Sequence, residues 1–343
     1  MISLGLKPFV RRTITDFGAR LPLRVLTRSV PRDVIVLMYH AIGEKWEAHL
    51  RNLYPYKTPA QFEADLIFLK RKFPMPTWAE FVANRAKLQR LERPCVLITF
   101  DDGLSDCYRF VRPLLLKHRI PCLFFVTKAF VDNKSMFFRH KASLCIEAFR
   151  KLSHLDQDKL VDALAVESRP SNRIEFANWM LGLGHADLRI IDRVCRLLDI
   201  DIDKILKTQR PYMTTAEIQQ LHADGFAVGG HSVTHPLLRL LPEEEVEFEV
   251  RESCRFVQDI LKVKDVPFAF PFSADGVSRS VLRLVAQDNP WISAMFGSNG
   301  VDLDEPFLLN RINADKPPVR TAQSNTLHLI KRSYASVLLR SVH

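Results

Sequence analysis

The feature of this sequence that most restricts its fold is the regular alternation of short apolar runs with longer amphipathic segments. The apolar runs, which are predicted as buried strands, are residues 34–38, 95–100, 122–126, 226–229, 268–272 and 292–296. Helical periodicity occupies residues 59–72, 105–118, 215–224, 242–261 and 278–288 between them. Strands that alternate with helices form βαβ units. The sequence therefore predicts an α/β fold built around a mainly parallel sheet or barrel.

The clearest single helix start lies just before one of the predicted strands. Thr214 is followed three residues later by Glu217, which is the pattern of a capping box, and Gly225 is suited to end the helix. The next strand begins at once and leads into two histidines.

Residues 130–210 interrupt the alternation. They have helical periodicity but no strong strand pattern. We interpret them as a helical insertion in a main domain of residues 33–320, either a lid over the substrate cleft or helices that only extend the scaffold. No chemical motif was found in the insertion.

Positive charge is concentrated at the two ends of the chain. Residues 1–32 carry a net charge of +6 and residues 316–343 carry +5, so residues 33–315 carry −1 of the total of +10. A nucleic-acid enzyme more often has a basic cleft, so no nucleic-acid partner is expected. Residues 1–32 are predicted to form a basic amphipathic segment that either touches an anionic membrane surface or packs on the protein's own core. Residues 321–343 are predicted to form a basic C-terminal helix or tail.

The expected cellular location rests on two kinds of segment that the sequence lacks. The first residues have no uninterrupted apolar core of a secretory signal, and no apolar stretch is long enough to span a membrane. Six scattered cysteines without a C-x-x-C pair are predicted to be buried thiols, which favours a reducing compartment. We expect a protein that works in the cytoplasm or at the inner membrane face.

Two short motifs predict a metal site. Asp101 and Asp102 directly follow the apolar run 95–100, and His231 and His235 follow the run 226–229. Active sites of parallel α/β folds collect at the carboxyl ends of strands. Asp102, His231 and His235 could supply three ligands to a divalent metal, which leaves Asp101 to take a proton from water.

Each motif also has an ordinary structural interpretation. An Asp-Asp-Gly sequence after a strand is commonly a turn or a helix cap, and a His-x-x-x-His pair is often structural. Histidines spaced by four residues would meet on one face of a helical turn. Residues 231–235 lack the glutamate that follows the first histidine in H-E-x-x-H peptidases, which excludes that class.

The two motifs together resemble those of the polysaccharide deacetylase family, also described as the NodB-homology domain or carbohydrate esterase family 4. Thr99 to Gly103 has the form T-F-D-D-G of its first motif, and His231 to His235 the form H-[ST]-x-x-H of its second. Residues 36–40, 120–126 and 268–272 resemble further family segments in the same order. The resemblance implies a distorted (β/α) barrel of the NodB type.

The resemblance also implies roles for individual residues. Asp101 would be the general base, and Asp102, His231 and His235 would bind a divalent metal, most often Zn²⁺. The substrate would be an N-acetylated saccharide, namely a glycan precursor, a lipid-linked sugar or a polysaccharide. A backbone N–H near Phe272 or Ser273 would stabilise the oxyanion.

Two departures from the family pattern concern the groups around the base. The family often has an arginine before its third motif, which residues 265–267 lack, and Arg311 is a candidate to replace it. His328 is the nearest match to the late histidine that serves as general acid, and His40 is the better spatial candidate. We therefore group His40, Phe272, Ser273 and Arg311 as candidate substrate-binding residues and leave the acid unassigned.

The sequence supports one main function and two alternatives. The main prediction is a metal-dependent deacetylase that hydrolyses the N-acetyl group of a saccharide. The alternatives are a metal-dependent amidase or esterase for another small substrate, and an inactive saccharide-binding module of the same fold. The presence of Asp101 argues against the inactive module, because a metal site alone would not require that neighbour.

Overall fold

An eight-stranded parallel sheet forms the centre of the protein. The computed structural model describes residues 19–30, 32–88, 94–164, 170, 172–317 and 322–340. The strands are β1 (Val34–Tyr39), β2 (Cys95–Phe100), β3 (Leu123–Val126), β4 (Ala227–Gly230), β5 (Val266–Ala269), β6 (Ile292–Phe296), β7 (Leu308–Leu309) and β8 (Arg311–Asn313). All neighbouring strands pair in parallel, so their carboxyl ends lie on the same side of the molecule.

The order of the strands shows that the sheet is a nearly closed barrel. From one edge to the other the order is β7-β6-β5-β4-β3-β2-β1-β8. The two edge strands, β7 and β8, are separated in the chain only by Asn310. The chain therefore runs once around the barrel and ends beside the strand where it began. The predicted α/β fold and its barrel are confirmed.

Helices surround the barrel and cover one of its ends. They are α1 (Leu23–Ser29), α2 (Pro59–Lys72), α3 (Trp78–Leu88), α4 (Arg112–His118), α5 (Phe138–Phe149), α6 (His154–Ala163), α7 (Phe176–Gly182), α8 (Leu188–Leu197), α9 (Ile202–Gln209), α10 (Thr215–Ala223), α11 (Glu243–Leu261), α12 (Arg279–Asp288) and α13 (Ala322–Arg340). The predicted capping box of α10 is present, since the Thr214 side chain accepts from the Glu217 N–H and the Glu217 carboxylate accepts from the Thr214 N–H.

The main core lies between the sheet and the outer helices. The rings of Tyr39, Phe100 and Phe124, on three adjacent strands, follow one another with centroid distances of 5.3 and 5.8 Å. Side chains alternate between the faces of a strand. Because Phe100 points to the helices, Thr99 and Asp101 point to the barrel interior.

Helices α5 to α9 lie between β3 and β4 in the chain and have a core of their own. The rings of Phe149 and Phe176 stack at 3.8 Å within it. The same cluster includes residues from the mouth of the barrel, among them Leu104 and Tyr212. The predicted helical region therefore packs on the carboxyl ends of the strands. Its function as a lid or as scaffold stays a prediction.

The terminal helices pack together on the barrel. Helix α13 contacts α1, α2 and β8. On α13, Thr326 donates a hydrogen bond of 2.6 Å to the buried Asp65 of α2, which also pairs with the buried Lys57. Most of the predicted amphipathic segment, residues 1–18 and 31, lies outside the described residues. Among the described helices, we find none with the length and apolar character needed to cross a bilayer.

Several boundaries predicted from the sequence were wrong. The strand predicted at 268–272 is β5, Val266–Ala269, and ends three residues earlier, so Phe272 lies in a loop. The two-residue strand β7 and the helix α3 were not predicted, and the strand expected around Arg311 is β8. The helix predicted at 105–118 begins with a π-helical turn, Cys107–Val111, before α4. All six cysteines are buried free thiols, as predicted.

Candidate active site

The predicted site residues meet at the carboxyl end of the barrel. His40 follows β1, Asp101 and Asp102 follow β2, and His231 follows β4. Asp101, Asp102, His231 and His235 are each no more than 4% exposed. A cluster of charged groups this deeply buried must be held by hydrogen bonds or by a bound ion, since isolated buried charges are costly.

Asp101 is held by an arginine from the far end of the chain. Arg311 begins β8 and is fully buried, and its two terminal nitrogens donate to the Asp101 carboxylate at 2.6 and 2.8 Å. Its Nε donates to the Gly297 carbonyl at 2.9 Å. Burial pushes the pKa of Asp101 upwards, but the charge of Arg311 and its hydrogen bonds prevail, so the pKa lies below its ordinary value. Arg311 thus positions Asp101 and keeps it ionised, and it is too enclosed to bind substrate.

Asp102 lies at the centre of the predicted metal-binding trio. Its Oδ1 is 3.1 Å from Nε2 of His235 and 3.5 Å from Nε2 of His231. Burial alone would raise the pKa of Asp102, yet contacts with both histidines hold it well below its ordinary value. Burial lowers the pKa of His235, which favours its neutral, ligating form.

The local geometry fits a tetrahedral metal. Ligands bound to zinc at about 2.0–2.1 Å lie about 3.3 Å from one another at tetrahedral angles. The two distances from Asp102 Oδ1 bracket that value, and the three donor atoms all lie within 4.8 Å of one another. His231 Nδ1 donates to the Ala269 carbonyl at 2.8 Å, which leaves the lone pair of neutral His231 on Nε2. One carboxylate oxygen and two imidazole nitrogens form a donor set suited to Zn²⁺.

The loop that carries the two histidines is not a helical turn, so the predicted i, i+4 helical geometry is wrong. Ser232 and His235 have φ of +66° and +62°, which turns the chain twice within five residues. The Ser232 hydroxyl accepts from the His235 N–H at 2.9 Å. The histidines therefore meet through a tight loop rather than along a helix face.

A buried glutamate supports this loop from outside. Glu249 of α11 accepts from the N–H groups of Val233 and Thr234 at 2.6 and 3.0 Å, and from the Thr234 hydroxyl at 2.7 Å. Helix α11 approaches β4 closely because Gly230 has no side chain, and a Cβ there would lie 2.7 Å from Ser253 Oγ. Glu249 thus fixes the backbone between the two histidines.

His40 forms a second pair beside the trio. Its Nδ1 lies 2.7 Å from Oδ2 of the buried Asp315, and its N–H donates to Oδ1 at 2.8 Å. Burial lowers the pKa of His40, but the charge of Asp315 dominates and raises it to about 10. The His40 ring lies 4.9 Å from that of Tyr54, whose hydroxyl is 3.4 Å from Asp102 Oδ2. The raised pKa of His40 favours its protonated form, held against Asp315 at the mouth of the barrel.

Phe272 lines the other side of the mouth. Its ring meets that of His235 edge-on at 5.0 Å, and its φ of +59° bends the loop after β5. The Ser273 N–H donates to the Pro271 carbonyl at 2.7 Å and is therefore already used. Within the described residues the Phe272 N–H makes no such bond, so it is the better oxyanion donor of the predicted pair.

Two residues that contact the candidate site were not predicted from the sequence, and one predicted candidate lies away from it. Asp315 follows the three-residue strand β8 and belongs to no motif of its own. Glu249 lies on the buried face of α11 with Val246, Val250 and Ser253, and an acid on an apolar helix face was a usable signal. His328 is exposed on α13, which packs against α1 and α2 and not at the mouth. It does not join the site.

The sequence and the fold were compared with known proteins. The polysaccharide deacetylase family model matches residues 89–289, which is more than half of the chain. A putative polysaccharide deacetylase of Bacillus subtilis, YxkH, is 29% identical over 115 residues, which cover 30% of this chain and 35% of that protein. The match thus spans about a third of this curated relative.

Two solved structures share the fold. The deacetylase PplD of Streptococcus pyogenes, solved in complex with acetate, aligns with 87% of this chain and 97% of its own, with a TM-score of 0.55 at 14% identity. IcaB from Ammonifex degensii aligns with 86% of this chain and 97% of its own, with a TM-score of 0.51 at 17% identity. At these identities the similarity establishes the barrel fold and nothing about individual residues.

Proposed function

The chain belongs to the polysaccharide deacetylase family, and on that premise we propose that it is a metal-dependent hydrolase of the N-acetyl group of a saccharide. The observation that carries the proposal is the geometry of the trio, with Asp102 Oδ1 at 3.1 and 3.5 Å from the two histidines. An ionised carboxylate, Asp101, lies beside it. A metal trio with an adjacent base is one arrangement that promotes amide hydrolysis, because the metal activates water and the base takes its proton.

The metal would be held by Asp102, His231 and His235, and the donor set favours Zn²⁺. When bound, such an ion would polarise the acetyl carbonyl and lower the pKa of water.

The remaining steps belong to the chain's own residues. Asp101 takes a proton from the attacking water, because Arg311 keeps its carboxylate ionised and in place. The Phe272 N–H donates to the oxygen that becomes negative as water adds to the carbonyl. His40 then gives a proton to the nitrogen of the sugar, since Asp315 maintains its charged form. The C–N bond breaks, and acetate and a free amine are released.

The test measures metal content and acetate release together. Wild-type protein is compared with Asp101→Asn and His231→Ala on N-acetylglucosamine oligomers and on simple amides. Loss of a general base is expected to reduce kcat by about 100- to 10,000-fold. The Asp101→Asn protein should retain the metal, and His231→Ala should lose it. Faster hydrolysis of simple amides than of the sugars would contradict the saccharide assignment, and full activity of Asp101→Asn would contradict the mechanism.

We further propose that the enzyme acts in the cytoplasm or at the inner membrane face, on a glycan precursor or a lipid-linked sugar. The support is the basic charge of residues 1–32 and 316–343 beside a nearly neutral body. Cell fractionation provides the test. Recovery of the native protein in the secreted fraction would overturn this part of the proposal.

A further inference from the structure

The helical insertion brings an arginine to the mouth of the barrel. Arg139 is the second residue of α5, and its guanidinium carbon lies 4.8 Å from the ring centroid of Phe272 and 6.0 Å from that of Phe138. The Phe272 ring is itself 5.0 Å from the ring of His235. A single aromatic ring therefore separates the guanidinium from a proposed metal ligand.

This arginine has no anionic partner among the residues that the structure describes. No described carboxylate lies within ion-pair distance, and its partly buried side chain has an Nε without a hydrogen-bond acceptor. Burial lowers the pKa of Arg139 below its ordinary value, with no acid to offset it. Arg311 provides the contrast, because all three of its nitrogens donate to protein oxygens. A partly buried guanidinium that contacts aromatic rings but no described carboxylate can still donate hydrogen bonds to an anion.

We propose that Arg139 recognises an anionic group on the saccharide, a phosphate ester or a carboxylate, located within about one sugar ring of the acetamido group. The inference rests on the proposed function, because it takes the metal trio as the place where the acetamido group binds. A guanidinium forms two parallel, charge-assisted hydrogen bonds with either anion. Because only the Phe272 ring lies between His235 and Arg139, the acetamido group and the anionic group of the sugar must be close together.

The neighbouring aromatic rings suit the same substrate. Phe272 faces both the trio and Arg139, so a sugar ring that packs on Phe272 has its acetamido group on one side and its anionic substituent on the other. Phe138 limits the space beyond the guanidinium. Neutral N-acetylated sugars would use the same ring but would leave Arg139 without a partner. The preference for charged sugars is therefore a specificity contributed by the insertion.

The test measures binding to metal-free protein by calorimetry. The probes are N-acetylglucosamine 1-phosphate, an N-acetylated disaccharide that contains a uronic acid, and neutral diacetylchitobiose. In the wild type, at least one charged sugar should bind about 10- to 100-fold more tightly than the neutral one, as expected for a charge-assisted contact. The two charged probes distinguish phosphate from carboxylate as the source of the anion.

The variants test whether Arg139 causes this preference. Arg139→Gln should reduce the ratio of charged to neutral affinity to near one, and Arg139→Lys should keep part of it. The matched control is Arg189→Gln, which alters an exposed arginine of the insertion and should leave the ratio unchanged. Melting temperatures establish that each variant is folded.

The outcomes separate this inference from the proposed function. Equal ratios in the wild type and Arg139→Gln, or no measurable binding of either charged sugar to the wild type, would overturn the inference. Acetate release from neutral sugars tests the function independently. If charged sugars bind through Arg139 but no N-acetylated sugar is hydrolysed, the function fails and the anion site remains.

Discussion

The two walls of the barrel mouth differ in where their buried polar groups lack hydrogen-bond partners. On the barrel wall, Asp101 has two hydrogen bonds from Arg311, and the loop of His231 is held by Glu249. The insertion wall consists of helix α5 and the loop of His49, whose ring lies 5.1 Å from that of His140. There, three buried nitrogens have no hydrogen-bond partner among the described residues, namely His49 Nδ1, Arg139 Nε and His140 Nε2. On the barrel wall the buried atoms without a hydrogen-bond partner, Asp102 Oδ1 and His235 Nδ1, belong to the proposed metal trio. On the insertion wall they lie outside it.

The difference indicates that the barrel wall is suited to the reaction and the insertion wall to binding a ligand. Groups that hold one another keep fixed positions and fixed charges, which is what a reaction centre needs. Buried groups without partners cost stability in the free protein and regain it when a ligand or water supplies the missing bond. Substitutions on the barrel wall should therefore reduce both stability and activity, whereas those on the insertion wall should cost little stability or even increase it.

The largest effect is expected for Arg311→Met. The substitution leaves Asp101 buried without its cation, and breaking one side of a buried ion pair costs about 3–5 kcal/mol. The pKa of Asp101 should rise, so the acid limb of the kcat/KM profile should move to higher pH. Chemical denaturation and a pH–rate profile measure the two effects.

A double variant separates the charge from the packing. If the loss of stability comes from the unpaired carboxylate, Asp101→Asn combined with Arg311→Met should be more stable than Arg311→Met alone, by about 1 kcal/mol or more. Equal stability of the single and double variants would show that Arg311 acts by filling space, and the barrel wall would then lose its electrostatic explanation.

The next effect concerns the proposed general acid. Asp315 raises the pKa of His40 to about 10, so His40 is charged at neutral pH and loses its proton only as the pH rises through that value. In Asp315→Asn the alkaline limb of kcat/KM should move down by more than one pH unit, and activity at neutral pH should fall by about 10- to 100-fold.

The same pair makes a prediction for stability. A histidine whose folded pKa exceeds its unfolded value adds stability at low pH, and that contribution disappears as the pH rises towards the folded pKa. The wild type should therefore lose more stability than Asp315→Asn between neutral pH and pH 10. An unchanged alkaline limb in Asp315→Asn would remove His40 from the mechanism.

A smaller effect is expected for Glu249→Gln. Loss of the charge weakens the hydrogen bonds that shape the loop between His231 and His235, and residues that orient ligands typically contribute 10- to 100-fold, here about 10-fold, to metal affinity. Competition with a chelator measures the change. Glu245→Gln, an exposed position on the same helix, is the control, and equal affinities of the two variants would contradict the assigned role.

The smallest effect tests the insertion wall. Burial lowers the pKa of His49 to about 4, so the folded protein resists its protonation. Stability from this group is complete above the unfolded pKa of about 6.5 and is lost as the pH falls towards 4. Between neutral pH and pH 5, the free energy of unfolding of His49→Leu should therefore fall by about 1–2 kcal/mol less than that of the wild type. His222→Leu, which alters an exposed histidine, is the control and should lose as much stability as the wild type. A large loss of stability in His49→Leu at neutral pH would contradict the prediction, because it would show that His49 makes stabilising contacts in the folded protein.

The strands that carry the chemistry were the most predictable part of the fold. β2 is a continuous apolar run bounded by Asp101, and its limits were predicted without error. β7 and β8 contain two and three residues and have no pattern of their own, because pairing with neighbouring strands defines them. Short elements of this kind are fixed by the tertiary fold rather than by local sequence.

The candidate site, too, was predictable only where local sequence patterns define it. The sequence suggested the proposed metal trio and the proposed base because these residues occur in motifs with fixed spacing, and the structure brings them together. It suggested Arg311 only as a replacement, since its contact with Asp101 joins residues 210 positions apart. Asp315 and Glu249 were missed because their partners lie on other elements. The loop of the second motif was predicted as a helical turn because spacing alone does not reveal that Ser232 and His235 adopt positive φ.

The position of Arg311 on the final strand has a consequence for the synthesis of the protein. The proposed metal trio and Asp101 are complete once residue 235 has left the ribosome, but the guanidinium that pairs with Asp101 arrives about 75 residues later. At the usual rate of translation, about 5–20 residues per second, that interval lasts several seconds. A nascent chain therefore carries Asp101, the proposed base, without its counter-charge until the barrel closes, and the completed site appears only with the last strand.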